Sequence, residues 1–312
     1  MWIGTTFNVL KFESAQDEML PFYQLENDLH SDDNFFFRSM QDSSGGLWFR
    51  MMINNLVYCS ALEEEAIITL APPKNAFIEE IKHFCTDTDG NVWVITLTNG
   101  LYKFPKGKTI YQKIPLGDSI LTSNPASIIA DRKDKDLIWV TSKYGLCSIN
   151  RFTYEEKWYH PIDDIPELNE NRILEIIQDE NGTIWFTMFQ NEKVYIISFD
   201  PVINRFSSFS ITKIDPKHRP ANAVKQVSPH SIWFGTRSGL MTVDTRSKQI
   251  EFHHSNNGFP TGKVLSIEPE GNGNVWFTST NKICKYDGEK FECFNPNPKI
   301  NKFIYTLSLI HI

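Results

Sequence analysis

Aromatic, amide and cationic side chains stand in turns that each follow a tryptophan of this 312-residue chain. An aromatic ring can stack on the apolar face of a sugar, and amide, ammonium and guanidinium groups can pair with its hydroxyls. Turns that follow equivalent strands of a repeated sheet lie at one end of the fold. We therefore expect a ligand-binding rim around a central channel. Its candidate residues are Asn99, Lys143, Tyr144, Phe189 and Arg237 in these turns, together with Arg172 near the start of an innermost strand at the same end.

Residue patterns that would support catalysis are missing from the sequence. His253 and His254 are adjacent in a strand-like run, so their rings should point to opposite faces and cannot share one metal ion. Asp163 and Asp164 stand in a proline-flanked segment, where acidic residues usually face solvent or cap a turn. There is no glycine-rich phosphate loop, Gly-x-Ser-x-Gly elbow or His-Glu-x-x-His pattern. We predict no catalytic residue, no metal site and no cofactor.

The elements that must position the rim are set by a tryptophan repeat. Seven tryptophans recur at intervals of 43 to 48 residues, a period typical of four-stranded propeller blades. A single blade cannot bury both of its faces, so a large ring between neighbouring blades acts as a wedge. We assign this structural role to Trp2, Trp48, Trp93, Trp139, Trp185, Trp233 and Trp276.

The residues around each tryptophan predict β-strands. A turn of Asp, Asn and Gly leads into a β-branched and aromatic run such as Val92-Trp93-Val94-Ile95-Thr96. A second turn, such as Asn99-Gly100, leads into a third run, and a more polar fourth run completes the period. No stretch has apolar residues at helical spacing over three turns. The sequence therefore predicts an all-β, seven-bladed β-propeller of four-stranded antiparallel blades.

The two ends of the chain suggest how the ring closes. Trp2 already belongs to a second strand, and residues 304–312 resemble the runs that precede the other tryptophan phrases. We expect about residues 303–312 to supply the innermost strand of the first blade, which would close the ring and remove its open edges. Residues 1–312 would then form one propeller.

Composition limits the partners and the compartment. The net charge is −7 and no run of lysine and arginine exists, so we expect no nucleic-acid partner. No apolar segment is long enough for a membrane span, and the first residues lack a signal-peptide pattern. Five cysteines without metal-ligand spacing favour buried free thiols, although Cys284 and Cys293 flank the turn at Asp287-Gly288 and could face each other across a hairpin.

The repeated phrase carries a family resemblance. Asp87-Thr88-Asp89-Gly90-Asn91-Val92-Trp93 with Gly100-Leu101, and Trp233-Phe234-Gly235-Thr236 with Gly239-Leu240, resemble the two-component regulator propeller repeat of hybrid two-component system histidine kinases. The resemblance implies a periplasmic sensor module, or a fragment of one, that detects oligosaccharides for polysaccharide utilisation. Its partners would be that ligand and the adjoining domains of the parent receptor. No histidine-kinase pattern is present, so any kinase activity would belong to the parent receptor.

Two alternatives remain open at this stage. The propeller could be a protein–protein docking or dimerisation scaffold, including a homodimer, because propellers host many functions. It could also be a propeller lyase or glycosidase, since streptogramin lyases and sialidases have similar phrases. A sialidase would need an arginine triad, and Arg38, Arg172 and Arg237 lack an accompanying nucleophile motif. A lyase would need a channel histidine, for which only His218 and His230 are available in mid-chain.

Overall fold

A computed structural model defines the fold. It describes residues 2–5, 8–13, 18–24, 36–43, 45–51, 56–59, 67–70, 81–97, 99–108, 110–117, 124–168, 173, 175–190, 193–212, 220–254, 259, 262–270, 272–279, 282–294 and 304–308. Within these ranges only the backbone is described for residues 2–38, 51, 57, 59, 67–70, 189, 209–212, 220–222 and 304–308.

Five complete blades lie between residues 81 and 294, and each is a four-stranded antiparallel sheet. Blade I contains β8 (Ile81–Thr86), β9 (Val92–Thr96), β10 (Leu101–Phe104) and β11 (Gln112–Lys113). Blade II contains β12 (Ser127–Ala130), β13 (Leu137–Ser142), β14 (Gly145–Asn150) and β15 (Glu156–Tyr159). Blade III contains β16 (Ile176–Gln178), β17 (Ile184–Gln190), β18 (Lys193–Asp200) and β19 (Arg205–Thr212). Blade IV contains β20 (Pro220–Ser228), β21 (Ser231–Thr236), β22 (Gly239–Asp244) and β23 (Ile250–His254). Blade V contains β24 (Val264–Pro269), β25 (Val275–Ser279), β26 (Lys282–Tyr286) and β27 (Phe291–Phe294).

Two further sheets are described mainly as paired backbone strands. One contains β1 (Trp2–Thr5), β2 (Asn8–Glu13), β3 (Glu18–Gln24) and β28 (Ile304–Ser308). The other contains β4 (Phe36–Gln41), β5 (Leu47–Met51), β6 (Leu56–Cys59) and β7 (Ile67–Leu70). A short helix, α1 (Pro161–Asp164), follows blade II and begins at a proline, which suits the first turn of a helix. The all-β class and the four-stranded antiparallel blade are confirmed.

The tryptophans pack between blades. Trp93 of blade I is fully buried in a cluster with Ile128 and Cys147 of blade II, and Trp139 of blade II packs with Phe199 of blade III. Trp233 of blade IV shares a cluster with Phe277 of blade V. Each ring fills the gap that two twisted sheets leave between them. All six tryptophans of the repeat whose side chains are described are buried: Trp48, Trp93, Trp139, Trp185, Trp233 and Trp276.

The predicted single ring of seven blades, closed by the C-terminal strand, needs correction. The structure shows five blades, and the chain divides into two compact units. Blades I to III lie in one unit, and blades IV and V lie in the other. Strand β28 pairs antiparallel with β1, with Trp2 opposite Ser308. This pairing adds a strand to one sheet, whereas ring closure requires side chains packed between the faces of adjacent sheets. Among the described side chains, such clusters join blade I to II, II to III, and IV to V.

The cysteines correct a second expectation. Cys284 of β26 lies directly opposite Cys293 of β27, and the two form a disulfide rather than staying free. Cys85 and Cys147 are free and buried, as expected for packing thiols. Burial raises the pKa of both thiols, so they stay protonated and unreactive. The side chain of Cys59 lies outside the described residues.

Reduction of the disulfide should destabilise the chain by about 2–3 kcal/mol, because the bond closes a short loop and restricts the unfolded chain. The test is thermal unfolding with and without dithiothreitol. A Cys284→Ala/Cys293→Ala variant is the control, since its melting temperature should not respond to the reductant. Equal responses of the wild type and this variant would contradict the assignment.

Candidate functional site

The turn between the first and second strands of a blade is organised by one acidic side chain. Asp87 Oδ1 accepts hydrogen bonds from the backbone N–H groups of Asp89 (3.0 Å) and Asn91 (2.8 Å), while Oδ2 accepts from Trp93 Nε1 at 2.8 Å. The same hydrogen bond from a tryptophan Nε1 to a carboxylate recurs in four other sheets. The donor and acceptor pairs are Trp48 and Asp42, Trp139 and Asp131, Trp185 and Asp179, and Trp276 and Glu270. In blade IV the acceptor is Ser231, which accepts from Trp233 at 3.1 Å.

This turn explains the spacing Asp-x-x-Gly-x-x-Trp. The carboxylate satisfies turn N–H groups and the buried indole N–H together, and a glycine such as Gly90 adopts the positive φ of 83° that closes the turn. The acidic residues are thus committed to structure.

An arginine joins the Asp87 turn to the next blade. Arg151, in the loop between β14 and β15, donates from Nη1 to Asp87 Oδ2 (2.9 Å) and contacts Asp89 Oδ2 (2.8 Å). Its side chain is only 2% exposed. Burial raises the pKa of Asp87, but the hydrogen bonds from Asn91, Trp93 and Arg151 outweigh burial and lower that pKa overall. The carboxylate therefore stays charged and holds blade II against blade I.

A second polar contact in the same unit joins blade I to the segment before blade III. His83 Nε2 of β8 lies 3.2 Å from Glu175 Oε1, just before β16, so blades I and III meet past the first strand of blade II. His83 Nδ1 lies 2.9 Å from the carbonyl oxygen of Phe84. In the other unit, Lys225 and Glu268 form a 2.9 Å ion pair between the first strands of blades IV and V. Neither pair could be predicted from the sequence.

The opposite end of blade II carries an exposed aromatic group. Tyr144, in the turn between β13 and β14, is 43% exposed. Lys143 Nζ lies 4.7 Å from the centre of its ring, and the Trp158 ring packs edge-on at 6.5 Å. His160 Nδ1 lies 2.7 Å from the Tyr144 carbonyl oxygen. We call Lys143, Tyr144, Trp158 and His160 the Tyr144 cluster.

The backbone fixes how Tyr144 is displayed. Its N–H donates to Ser142 Oγ at 3.0 Å, and Gly145 follows with a φ of +130°. A Cβ at Gly145 would collide with the carbonyl oxygen of Tyr159, so only glycine fits there. Trp158 is half-buried and packs on the hydrophobic cluster between blades I and II. The turn therefore presents one aromatic ring and one ammonium group to solvent from a rigid base.

Among the described residues, no described contact joins the other rim candidates to the Tyr144 cluster. Asn99 is half-buried in its turn, where its N–H donates to Thr96 Oγ1 at 3.2 Å. Arg237 is exposed in the turn between β21 and β22, in the other compact unit. Phe189 pairs with Val194 through the backbone of β17, and its side chain is not described. Arg172 lies outside the described residues. Of the rim candidates whose side chains the structure describes, Lys143 and Tyr144 alone are brought together.

The histidines and acids considered for catalysis have structural surroundings. The His253 ring packs at a tilt to Phe259 and edge-on to Phe291, and burial lowers its pKa, which favours the neutral ring. Asp164 Oδ2 accepts from the Phe206 N–H at 2.8 Å. His230 lies in the turn between β20 and β21, and His218 is not described. In the described part of the chain, no cluster of His, Cys, Asp and Glu could hold a metal ion, and no helix is long and apolar enough to cross a membrane.

Comparisons with known proteins place the fold. No family model and no curated protein matches the sequence. The extracellular domain of the hybrid two component system BT4673 from B. thetaiotaomicron matches with a TM-score of 0.67 and 15% identity, over 89% of this chain and 36% of that one. The corresponding domain of BT3049 from the same organism has a TM-score of 0.50 and 17% identity, over 94% of this chain and 44% of that one. The structure of YCF48 bound to D1 peptide matches with a TM-score of 0.63 and 10% identity, over 84% of this chain and 81% of that one.

The structural neighbours agree with the resemblance in the repeated phrase, since two of them are extracellular domains of hybrid two-component systems. At these identities the likeness shows the propeller fold alone. The chain spans less than half the length of both extracellular domains.

Proposed function

We propose that this propeller is the ligand-sensing module, or part of it, of a hybrid two-component regulator, that it works outside the cytoplasm, and that its ligand is an oligosaccharide. The main support for this proposal is the Tyr144 cluster, which lies on a fold shared with extracellular domains of such systems. An exposed ring beside an ammonium group suits a sugar, whose C–H face stacks on the ring while its hydroxyls pair with polar groups. The propeller would bind its ligand and leave chemistry to other domains.

The disulfide supports the proposed compartment. Cys284 and Cys293 are oxidised, and disulfides persist in the periplasm and other oxidising compartments but rarely in the cytosol. The two remaining thiols in the described residues, Cys85 and Cys147, are buried.

Oligosaccharides that this chain binds should raise its melting temperature. A ligand at about 100 times its dissociation constant adds about 2.7 kcal/mol of stability, which a thermal-shift screen of a glycan panel detects. In the Tyr144→Ala variant, the glycan concentration that gives the same shift in melting temperature should be about tenfold higher or more, because the stacking surface is lost.

Phe152→Ala is the matched control, since Phe152 is an exposed aromatic residue in a different turn of the same blade. Its response to the glycan should equal that of the wild type. A flat panel, or a shift that survives Tyr144→Ala, would argue against the Tyr144 cluster as the sensor site.

A protein-docking scaffold is the second candidate, because YCF48, which has a similar fold, was solved bound to D1 peptide. Sedimentation of the purified chain with and without glycan distinguishes the two. Concentration-dependent dimerisation without any glycan response favours the scaffold.

A further inference from the structure

The histidine that joins blade I to the segment before blade III meets a hydrogen-bond acceptor at each ring nitrogen. His83 Nδ1 lies 2.9 Å from the carbonyl oxygen of Phe84, and Nε2 lies 3.2 Å from Glu175 Oε1. A carbonyl oxygen can only accept, so Nδ1 carries a hydrogen. In a neutral imidazole the other nitrogen is then an acceptor. One further hydrogen must therefore lie between Nε2 and Oε1.

Ordinary proton affinities place that hydrogen on the ring. A histidine side chain releases its proton at about pH 6.5, and a glutamate side chain at about pH 4.3. The contact is therefore an imidazolium that donates from both nitrogens, with a carboxylate as acceptor at Nε2. Without the proton, a ring lone pair would face a carboxylate oxygen, and two acceptors form no hydrogen bond.

The surroundings of the pair contain few other ionisable groups. The side chains of His83 and Glu175 are 7% and 16% exposed. Strand β12 contacts both β8 and β16, and neither β9, β12 nor β16 contains an ionisable residue. On β8 itself the neighbours are Lys82 and the buried thiol of Cys85, whose pKa is raised by burial. Asp87, beyond the end of β8, is bound by Arg151. Among the described residues, Glu175 is the acidic group in contact with His83.

We propose that His83 and Glu175 form a proton-binding site that joins blade I to the segment before blade III while the proton is bound. Low exposure limits screening by water and salt, so the charged pair attracts more strongly than an exposed pair would. Loss of the proton removes both the charge on the ring and the hydrogen bond. Because the contact needs the proton, its contribution to stability is present at low pH and is lost as pH rises through the titration of His83.

The ion pair of the other compact unit provides a comparison. Lys225 Nζ lies 2.9 Å from Glu268 Oε1, between the first strands of blades IV and V. A lysine ammonium ordinarily keeps its charge up to about pH 10, far above the range in which histidine titrates. We therefore expect a response to pH near neutrality from His83 and Glu175, and none from Lys225 and Glu268.

Nitrogen NMR of the histidine rings tests the protonation state. In the wild type at about pH 6, both ring nitrogens of His83 should carry hydrogens. In Glu175→Gln the titration midpoint of this ring should be lower by about one pH unit or more, because the carboxylate charge that holds the proton is gone. His83→Gln identifies the signal by its disappearance. A single N–H group on His83 at this pH, or a midpoint that Glu175→Gln leaves unchanged, would overturn the proposal.

Thermal unfolding tests the effect on stability. The wild type should melt at a higher temperature than Glu175→Gln at about pH 6, and this excess should shrink by about pH 8, since the glutamine amide can donate to the neutral ring. Glu268→Gln is the matched control, because it removes a carboxylate from the comparison pair. Its difference from the wild type should be the same at both pH values. An equally constant difference for Glu175→Gln would contradict a joint that depends on a proton.

Discussion

Replacement of Asp87 by alanine should lower the free energy of unfolding by about 3–5 kcal/mol, because it leaves a buried arginine without its buried partner. Arg151 is 2% exposed and would keep only Asp89, whose side chain is 58% exposed. Trp93 Nε1 and the Asn91 N–H would also lose their acceptors. Urea denaturation with an unchanged m-value measures the loss.

Asp89→Ala is the matched control for this prediction. Asp89 touches the same Nη1 atom of Arg151 at 2.8 Å, but its exposed carboxylate is screened by water, so its removal should cost about 1 kcal/mol or less. Adding Arg151→Met to Asp87→Ala should recover part of the loss, since the unpaired charge disappears. Equal effects of Asp87→Ala and Asp89→Ala would refute the buried ion pair.

The same carboxylate gives a pH signature. The pKa of Asp87 is lower in the folded chain than its usual value, so its contribution is present above the unfolded-state pKa and is lost as pH falls through the folded-state pKa. The stability difference between wild type and Asp87→Asn should therefore be largest near neutral pH and shrink in acid. A difference that stays constant through the acid range would show that ionisation is irrelevant.

The sequence predicts blades well because their signals are local. A tryptophan, its turn and the next strand lie within a few residues of each other, as in Asp87 to Thr96, so hydrophobic pattern and turn residues agree. The Cys284–Cys293 hairpin is foreseeable for the same reason, because the two cysteines are nine positions apart around an Asp-Gly turn. Buried free thiols were nevertheless the preferred expectation.

Contacts between blades could not be predicted in this way. Arg151 occupies a hairpin turn that looks solvent-exposed in sequence, and its partner Asp87 lies 64 residues earlier. His83 and Glu175 are 92 residues apart, and their contact joins blades I and III, which are not neighbours in the chain. The rim illustrates the same limit, since Tyr144 could be placed on a turn from sequence alone. Its neighbours Trp158 and His160 arrive through the packing of the fourth strand.

Trp139→Ala should cost about 3–5 kcal/mol, because the ring fills the space between blades II and III and its removal leaves a cavity that rigid sheets cannot close. Trp139 is 1% exposed and contacts Tyr159 and Phe199 at ring-centre distances of 5.6 and 5.7 Å. Its Nε1 donates to Asp131 Oδ2 at 2.6 Å, so the substitution also removes a donor from a buried carboxylate. Chemical denaturation of the purified variant measures the loss.

Trp158→Ala is the control that separates a wedge from an ordinary large side chain. Trp158 belongs to the same blade but falls outside the tryptophan repeat, lies half-buried on β15 and opposes Cys147, so its replacement should cost about 1–2 kcal/mol. Trp139→Phe should fall between the two, since it keeps an aromatic ring but loses the N–H group. If Trp158→Ala destabilised as much as Trp139→Ala, burial of any large ring would suffice, and the repeated tryptophan would have no special place between the blades.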